Sequence, residues 1–355
     1  MNPMLTFRDK ATIVIYDISR AKKDTTVKSV SIAILTVDFC IASSIHGVLD
    51  TFSCANFCAA ESNLNVRFDA FLVSPLGKSV RSFNGTLVDV SLSLSDAEAA
   101  DVVVVAPPMP PTFDADHIDV ILRKLLSLNS WLIEQAKRGT ILASCCTGSF
   151  ILAEAGLLNG KISTTHWRAA HAFRSRYPEV VLREEELVTE DGALLCGGGA
   201  VSYIDLTLHL IRKFGGAELA AQCASILVVD PNRDRQSPYA QFNVTRNHGD
   251  ELIAEVQAYI EQNYWMNLEI NKLSMRFNLG ERTLKRRFSK ACGLPIGQYV
   301  QKLRISAAKD RLANSDRSFQ AIVLDVGYED LSSFARTFKR QTGLTMGSYR
   351  ERFHS

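Results

Sequence analysis

Two stretches of this 355-residue chain carry residue types at spacings that can do chemistry. The first is Ile141-Leu-Ala-Ser-Cys-Cys-Thr-Gly-Ser149, where a short apolar run meets a small-residue turn ahead of a helical pattern. Such an elbow sets Cys146 near a helix N-terminus, whose partial positive charge lowers a thiol pKa and attracts anions. Cys145 points back along the strand. Thr164-Thr-His-Trp167 follows and adds an imidazole and an indole. A thiolate nucleophile also needs an acid or base within hydrogen-bond reach, and His166 is close in sequence.

The second stretch is a duplication. Glu281-Arg-Thr-Leu-Lys-Arg-Arg-Phe288 and Leu331-Ser-Ser-Phe-Ala-Arg-Thr-Phe-Lys-Arg340 repeat one plan 50 residues apart. Leu284/Phe288 and Phe334/Phe338 stand at i,i+4, giving each helix one buried stripe. The opposite faces carry Arg282, Lys285 and Arg286, then Ser332, Ser333 and Arg336. Ahead of each lies a shorter apolar face (Ile270, Leu273, Phe277; Ile322, Val326) and a turn. One helix braces and the next presents polar side chains, which is helix-turn-helix geometry.

Charge supports that reading. The chain holds 40 basic and 38 acidic residues, a formal +2. From Lys272 to the end the count is 17 against 7, so a basic segment sits behind a slightly acidic body. That asymmetry fits one part meeting nucleic acid. No apolar run approaches the ~18 residues needed to span a bilayer, and the first 28 residues lack a signal-peptide block. The eight cysteines show no CxxC pair or other zinc spacing, so free thiols in a reducing cytoplasm are expected, with no metal and no cofactor. Cys54, Cys58, Cys196, Cys223 and Cys292 read as buried packing.

Elements must hold these residues in place. Segments 31–35, 67–73, 102–105 and 140–143 read as buried strands, with helices over 48–60, 117–138 and 148–158. Near-continuous apolar strands alternating with helices predict a parallel sheet covered on both faces. Residues 203–214 form an amphipathic helix that Gly215-Gly216 stops. The polar stretch from Asp230 to Pro238 reads as the exit into a linker. Beyond Asp250 come helices over 252–263, 269–277, 281–292, 297–313, 319–326 and 331–341. Residues 12–16 look strand-like.

The C-terminal residues resemble the AraC/XylS family closely over 269–353. The likeness rests on Arg282-Thr-Leu-Lys-Arg-Arg-Phe288, Ala291-Cys-Gly-Leu-Pro295, Leu303-Arg304, Val326-Gly-Tyr328, Ser333-Phe334, Phe338-Lys339, Gly343-Leu344 and Tyr349-Arg350. It implies two helix-turn-helix units joined by a long helix, their recognition helices entering successive major grooves of double-stranded promoter or operator DNA. By matching positions, Arg282, Lys285 and Arg286 face bases in one groove, and Ser332, Ser333 and Arg336 do so in the other. Lys290, Lys339 and Arg340 meet phosphate. Two positions depart from the pattern: Gly280 and Glu329 stand where the family usually caps its recognition helices with Ser, and Glu caps poorly.

Upstream, the run from Cys146 to Gly160 with Thr164-Thr-His-Trp167 resembles the GlxA-type regulators. Their N-terminal domain belongs to the ThiJ/PfpI branch of the class I glutamine amidotransferase-like superfamily. Gly47-Val-Leu-Asp-Thr-Phe52 resembles that group's GPxEVF segment, and Cys196-Gly-Gly-Gly-Ala-Val-Ser-Tyr-Ile-Asp-Leu206 its later Gly-rich turn. The resemblance implies an α/β flavodoxin-like parallel-sheet domain followed by an all-α domain with two helix-turn-helix units. Hydrolytic relatives place His directly after the elbow cysteine, where this chain has Thr147. Many also supply a Glu where this chain has Ser44. A sensor without turnover is therefore expected, with Cys146, Thr147, His166 and Trp167 around an amino-acid- or betaine-like metabolite. The alternatives are a cysteine-dependent amidase or glyoxalase-like enzyme, or a thiol redox sensor using Cys146. Expected boundaries are 1–28 for an extension, 29–229 for the sensor domain, 230–249 for a linker and 250–355 for the DNA-binding domain. Besides DNA and the effector, RNA polymerase and a second copy of the chain are the expected partners, without a membrane.

Overall fold

The computed structural model describes residues 27–97, 100–231, 233–242 and 248–354. The strand-like segment 12–16 lies outside them. Six strands build the main sheet: β1 (Lys28–Leu35), β2 (Val66–Val73), β3 (Val102–Val105), β4 (Ile141–Cys145), β5 (Val188–Asp191) and β6 (Leu194–Gly197). Their order is β2-β1-β3-β4-β6-β5, parallel throughout except for the β6–β5 hairpin at one edge. The reversal of order between β1 and β3 is the switch point of a flavodoxin-like doubly wound sheet.

Burial explains the strand choice. All four valines of β3 are buried because the strand is central and covered on both faces. One helix group, Ala42–Glu61, Tyr203–Gly215 and Ala217–Ile226, packs together beside the sheet; a second comprises Ala115–Leu125, Leu128–Lys137 and Ser149–Glu154. The helix expected over 117–138 is split at Leu126–Ser127, which lets Ile118/Leu122 and Leu128/Leu132 both reach the core. The β5–β6 hairpin and helix Ala217–Ile226 carry no strong sequence period, and reading the sequence missed them.

The C-terminal part is all helix, with two separate apolar cores. The first is built around Leu284, Phe288 and Tyr299, the second around Phe334, Phe338 and Tyr349. A 19-residue helix, Ile296–Asn314, contributes Tyr299 to the first and Ile305, Ala308 and Leu312 to the second. The duplication runs further than the recognition helices. Gly293-Leu-Pro-Ile-Gly-Gln-Tyr299 recurs as Gly343-Leu-Thr-Met-Gly-Ser-Tyr349. Each tyrosine meets its recognition-helix phenylalanine edge-on, Phe288–Tyr299 at 5.2 Å and Phe338–Tyr349 at 5.5 Å. The second copy opens a last helix, Met346–Phe353, that the periodicity did not reveal.

Within segment 233–242, expected as part of a linker, residues 236–238 are buried while Asp234, Tyr239 and Gln241 are exposed. Gln236 is 2% exposed, and its amide nitrogen donates to the Thr165 carbonyl at 2.8 Å while its oxygen accepts from the Trp167 amide. Gln236 thus satisfies backbone groups of the α/β part. Among the described residues, no helix is long and apolar enough to cross a membrane.

Candidate nucleic-acid interface and effector pocket

The first helix-turn-helix unit runs from helix Ile270–Arg276 into helix Glu281–Cys292, the second from helix Phe319–Asp325 into helix Leu331–Thr342. Arg282, Lys285, Arg286 and Lys290 are exposed on the first recognition helix. Ser332, Arg336, Lys339 and Arg340 are exposed on the second, and Ser333 is half-buried. Lys285 pairs with Glu281 at 3.4 Å, an exposed contact of the kind worth little to stability. Arg287 turns inward, bidentate on Asp250 at 2.9 and 2.6 Å.

The second recognition helix corrects one expectation. Its N-cap is Asp330, whose carboxylate accepts from the Ser333 amide at 2.7 Å, so Glu329 is not asked to cap. Gly280 is the first helix's N-cap and offers no side chain. Both helices stop at a left-handed glycine, Gly293 and Gly343. The units are fastened together by Arg304 of the long helix, which donates to the carbonyls of Tyr264, Met266 and Gly327 at 2.7–2.9 Å. A three-carbonyl anchor at one guanidinium has no periodic signal, and sequence reasoning assigned it no role.

The elbow at the end of β4 has the expected shape. Cys146 has φ +51°, and a Cβ on Gly148 would stand 2.7 Å from the Val105 carbonyl, so only glycine fits there. Its chemistry is quieter than its shape. Cys146 is 1% and Thr147 3% exposed. Thr147 donates its hydroxyl to the Pro108 carbonyl at 2.6 Å, and Thr165 and Ser149 hydroxyls donate to the Cys146 carbonyl. Burial pushes the Cys146 thiol up to about 12, against which the Thr147 amide and hydroxyl pull only partly. Ser44, in the position of the missing acid, is buried and donates to the Ile41 carbonyl.

His166 stands apart from proton chemistry. Its ring is stacked between Phe113 at 5.3 Å and Trp167 at 5.5 Å, and its Nδ1 accepts from the Arg168 amide. Burial, then the nearby Arg168 charge, lower it to about 4, so it is neutral at physiological pH. The Arg168 guanidinium covers Phe113 and Trp167 at 5.4 and 5.9 Å. Of the four residues expected at the pocket, Trp167 lines a cavity of about 1160 Å³, together with Phe113 and Arg168. Cys146, Thr147 and His166 are not among its lining residues, and the first two are buried.

That cavity lies between the α/β part and the helical part. Lys302 on the long helix pairs with Glu184 at 2.8 Å, and Glu184 also receives Arg174 at 3.0 Å. Lys309, buried, donates to the Ser237 and Ala240 carbonyls at 2.6 and 2.8 Å; desolvation lowers it to about 8. The two glycines that end the recognition helices also face the α/β part or its strap. A Cβ on Gly293 would collide with the His171 ring, and one on Gly343 would stand 2.6 Å from Arg235 Cδ.

Residues 59–213 match the DJ-1/PfpI family, and residues 273–352 match the helix-turn-helix domain family. The chain is 30% identical over 302 residues to the HTH-type transcriptional regulator CdhR of Pseudomonas aeruginosa, covering 82% of this chain and 86% of that protein. It is 26% identical over 288 residues to the HTH-type transcriptional regulator GlxA of Rhizobium meliloti, covering 79% and 84%. A stretch of 87 residues is 38% identical to the isonitrile hydratase of Pseudomonas putida, covering 24% of this chain and 36% of that enzyme.

Proposed function

Because the chain belongs to the HTH-type transcriptional regulators that join a DJ-1/PfpI domain to an AraC-type helix-turn-helix domain, we propose that it couples effector binding in the interdomain cleft to operator binding. Sequence-specific DNA binding resides in the helical part. Arg282, Lys285 and Arg286 read one groove and Ser332, Ser333 and Arg336 the next, while Lys290, Lys339 and Arg340 hold phosphate. The sensor spans 29–229, the strap 230–249 and the DNA-binding part 250–355. The chain works in the cytoplasm as a homodimer that meets RNA polymerase at the promoter.

The observation that carries the coupling is the pair of glycines. Each recognition helix ends in a left-handed glycine abutted from outside the helical part, by His171 in one case and Arg235 in the other. A ligand that binds two arrangements of that contact unequally shifts DNA affinity by the difference. The effector is a small carboxylate-bearing metabolite, amino-acid- or betaine-like, its apolar or cationic part on the Trp167–His166 shelf and its carboxylate on Arg168. Cys146 and Thr147 form the floor behind that shelf. Among the described residues Arg168 has no carboxylate partner, which leaves its charge for a ligand. The domain acts without turnover, a reading supported by the buried, protonated Cys146 thiol and by Thr147 and Ser44 at the positions of the missing partners.

The test is footprinting of upstream DNA with and without a panel of carboxylate metabolites. Each Arg–guanine pair is worth about 1–3 kcal/mol, so Arg286→Ala with Arg336→Ala should erase the protected region. An unchanged footprint sinks the assignment of the two faces. Trp167→Ala should keep the footprint and lose its response to the metabolite.

A further inference from the structure

A second group of thiols meets far from the elbow. Cys54 and Cys58 stand one turn apart on helix Ala42–Glu61 and face Cys223 on helix Ala217–Ile226. Their three Sγ atoms all lie within 4.8 Å of one another. The i,i+4 spacing puts the first two on one stripe, and helix packing brings the third against it. All three are free, and they hydrogen-bond among themselves. Cys58 and Cys223 are 2% and 0% exposed, whereas Cys54 is only half-buried and gives solvent a way in.

An all-sulfur donor set selects soft, thiophilic ions. Charge then discriminates among them, because an uncompensated charge between apolar helices is costly. Zinc on three thiolates leaves one excess negative charge and lacks the fourth protein ligand of a closed zinc site. Copper(I) on three thiolates leaves two. A trivalent metalloid leaves none. Arsenous acid meeting three thiols loses three As–O bonds as three S–H bonds break. Three As–S bonds form, three waters leave, and arsenic stays trivalent throughout. The product is neutral and pyramidal, with its three sulfurs on one side.

We propose that Cys54, Cys58 and Cys223 form a binding site for a trivalent thiophilic metalloid of the arsenite class. Occupancy cross-links helix Ala42–Glu61 to helix Ala217–Ile226 without placing charge in their interface.

The experiment titrates the reduced full-length chain with sodium arsenite and reads native mass spectra and thermal melting. The expected result is one adduct, heavier by one arsenic less three hydrogens, with a raised melting temperature. Cys146→Ser should retain the adduct. Cys223→Ser and, as a second variant that keeps a small apolar group, Cys223→Ala should abolish it while circular dichroism shows them folded. An adduct that keeps a hydroxyl on arsenic, and so uses two thiols, overturns the proposal. So does an adduct that survives in a folded Cys223 variant, no adduct at all, or tighter binding of zinc or copper(I) than of arsenite.

Discussion

His166 illustrates how one side chain's surroundings decide its chemistry. Held between two aromatic rings and accepting a backbone N–H at Nδ1, it has lost the solvent that would stabilise its cation. Its folded pKa, about 4, lies below the ordinary 6.5. As pH falls the unfolded chain takes this proton first, so the stability attached to neutral His166 is complete above about 6.5. It is lost as pH falls from there toward 4. An NMR titration of the imidazole should give a midpoint near 4, and His166→Asn should flatten stability against pH across that window. A midpoint near 6.5 would mean that the ring is solvated. The Cys-Cys-Thr-Gly run was legible in the sequence as an elbow, but the burial of its thiol was not. The Thr147–Pro108 bond that helps to close it joins residues 39 positions apart, and such contacts leave no local period.

Caps distinguish the two recognition helices, and they respond to substitution in opposite directions. Gly280 has φ −66° and ψ 142°, and a Cβ there meets nothing within 4 Å. Gly280→Ser should therefore fit without strain, add a bond to an unpaired helix N–H and stabilise the domain by a few tenths of a kcal/mol. Asp330→Ala removes a cap already in place and should cost about 1 kcal/mol. Urea unfolding of the two variants checks both signs; a neutral Asp330→Ala would show that this helix end is held by packing alone. Helices with one buried stripe, such as Glu281–Cys292, were legible in the sequence to the residue. The β5–β6 hairpin and Met346–Phe353 were not, because their short runs gain stability from partners distant in the chain rather than from propensity. The second Gly-Leu-x-x-Gly-x-Tyr copy was a usable signal for the last helix.

In the whole molecule the two parts meet through specific polar contacts, the Glu184–Lys302 pair among them. Glu184 is half-buried, with Lys302 of the helical part on one side and Arg174 of the α/β part on the other, and these cations hold its carboxyl below the usual range. Glu184→Gln leaves both cations unpaired, so the parts should separate more readily. Tryptic cleavage after Arg233 and Arg235 should then be faster than in the parent chain; equal rates would show that the strap is held without this pair. Two domains were legible in the split of charge and period, whereas their contact was not, since it depends on single polar residues such as Lys309. That lysine lies on the helix Ile296–Asn314, which serves both helical cores. At 1.5 Å per residue this helix is about 28 Å long, close to the ~34 Å of one DNA turn. On the proposed placement of the two recognition helices in successive grooves, the length of this one helix would set the phase between the two halves of an operator. Moving the half-sites by half a turn would put the second on the far side of the duplex, and no exchange of base-reading side chains could bring it back.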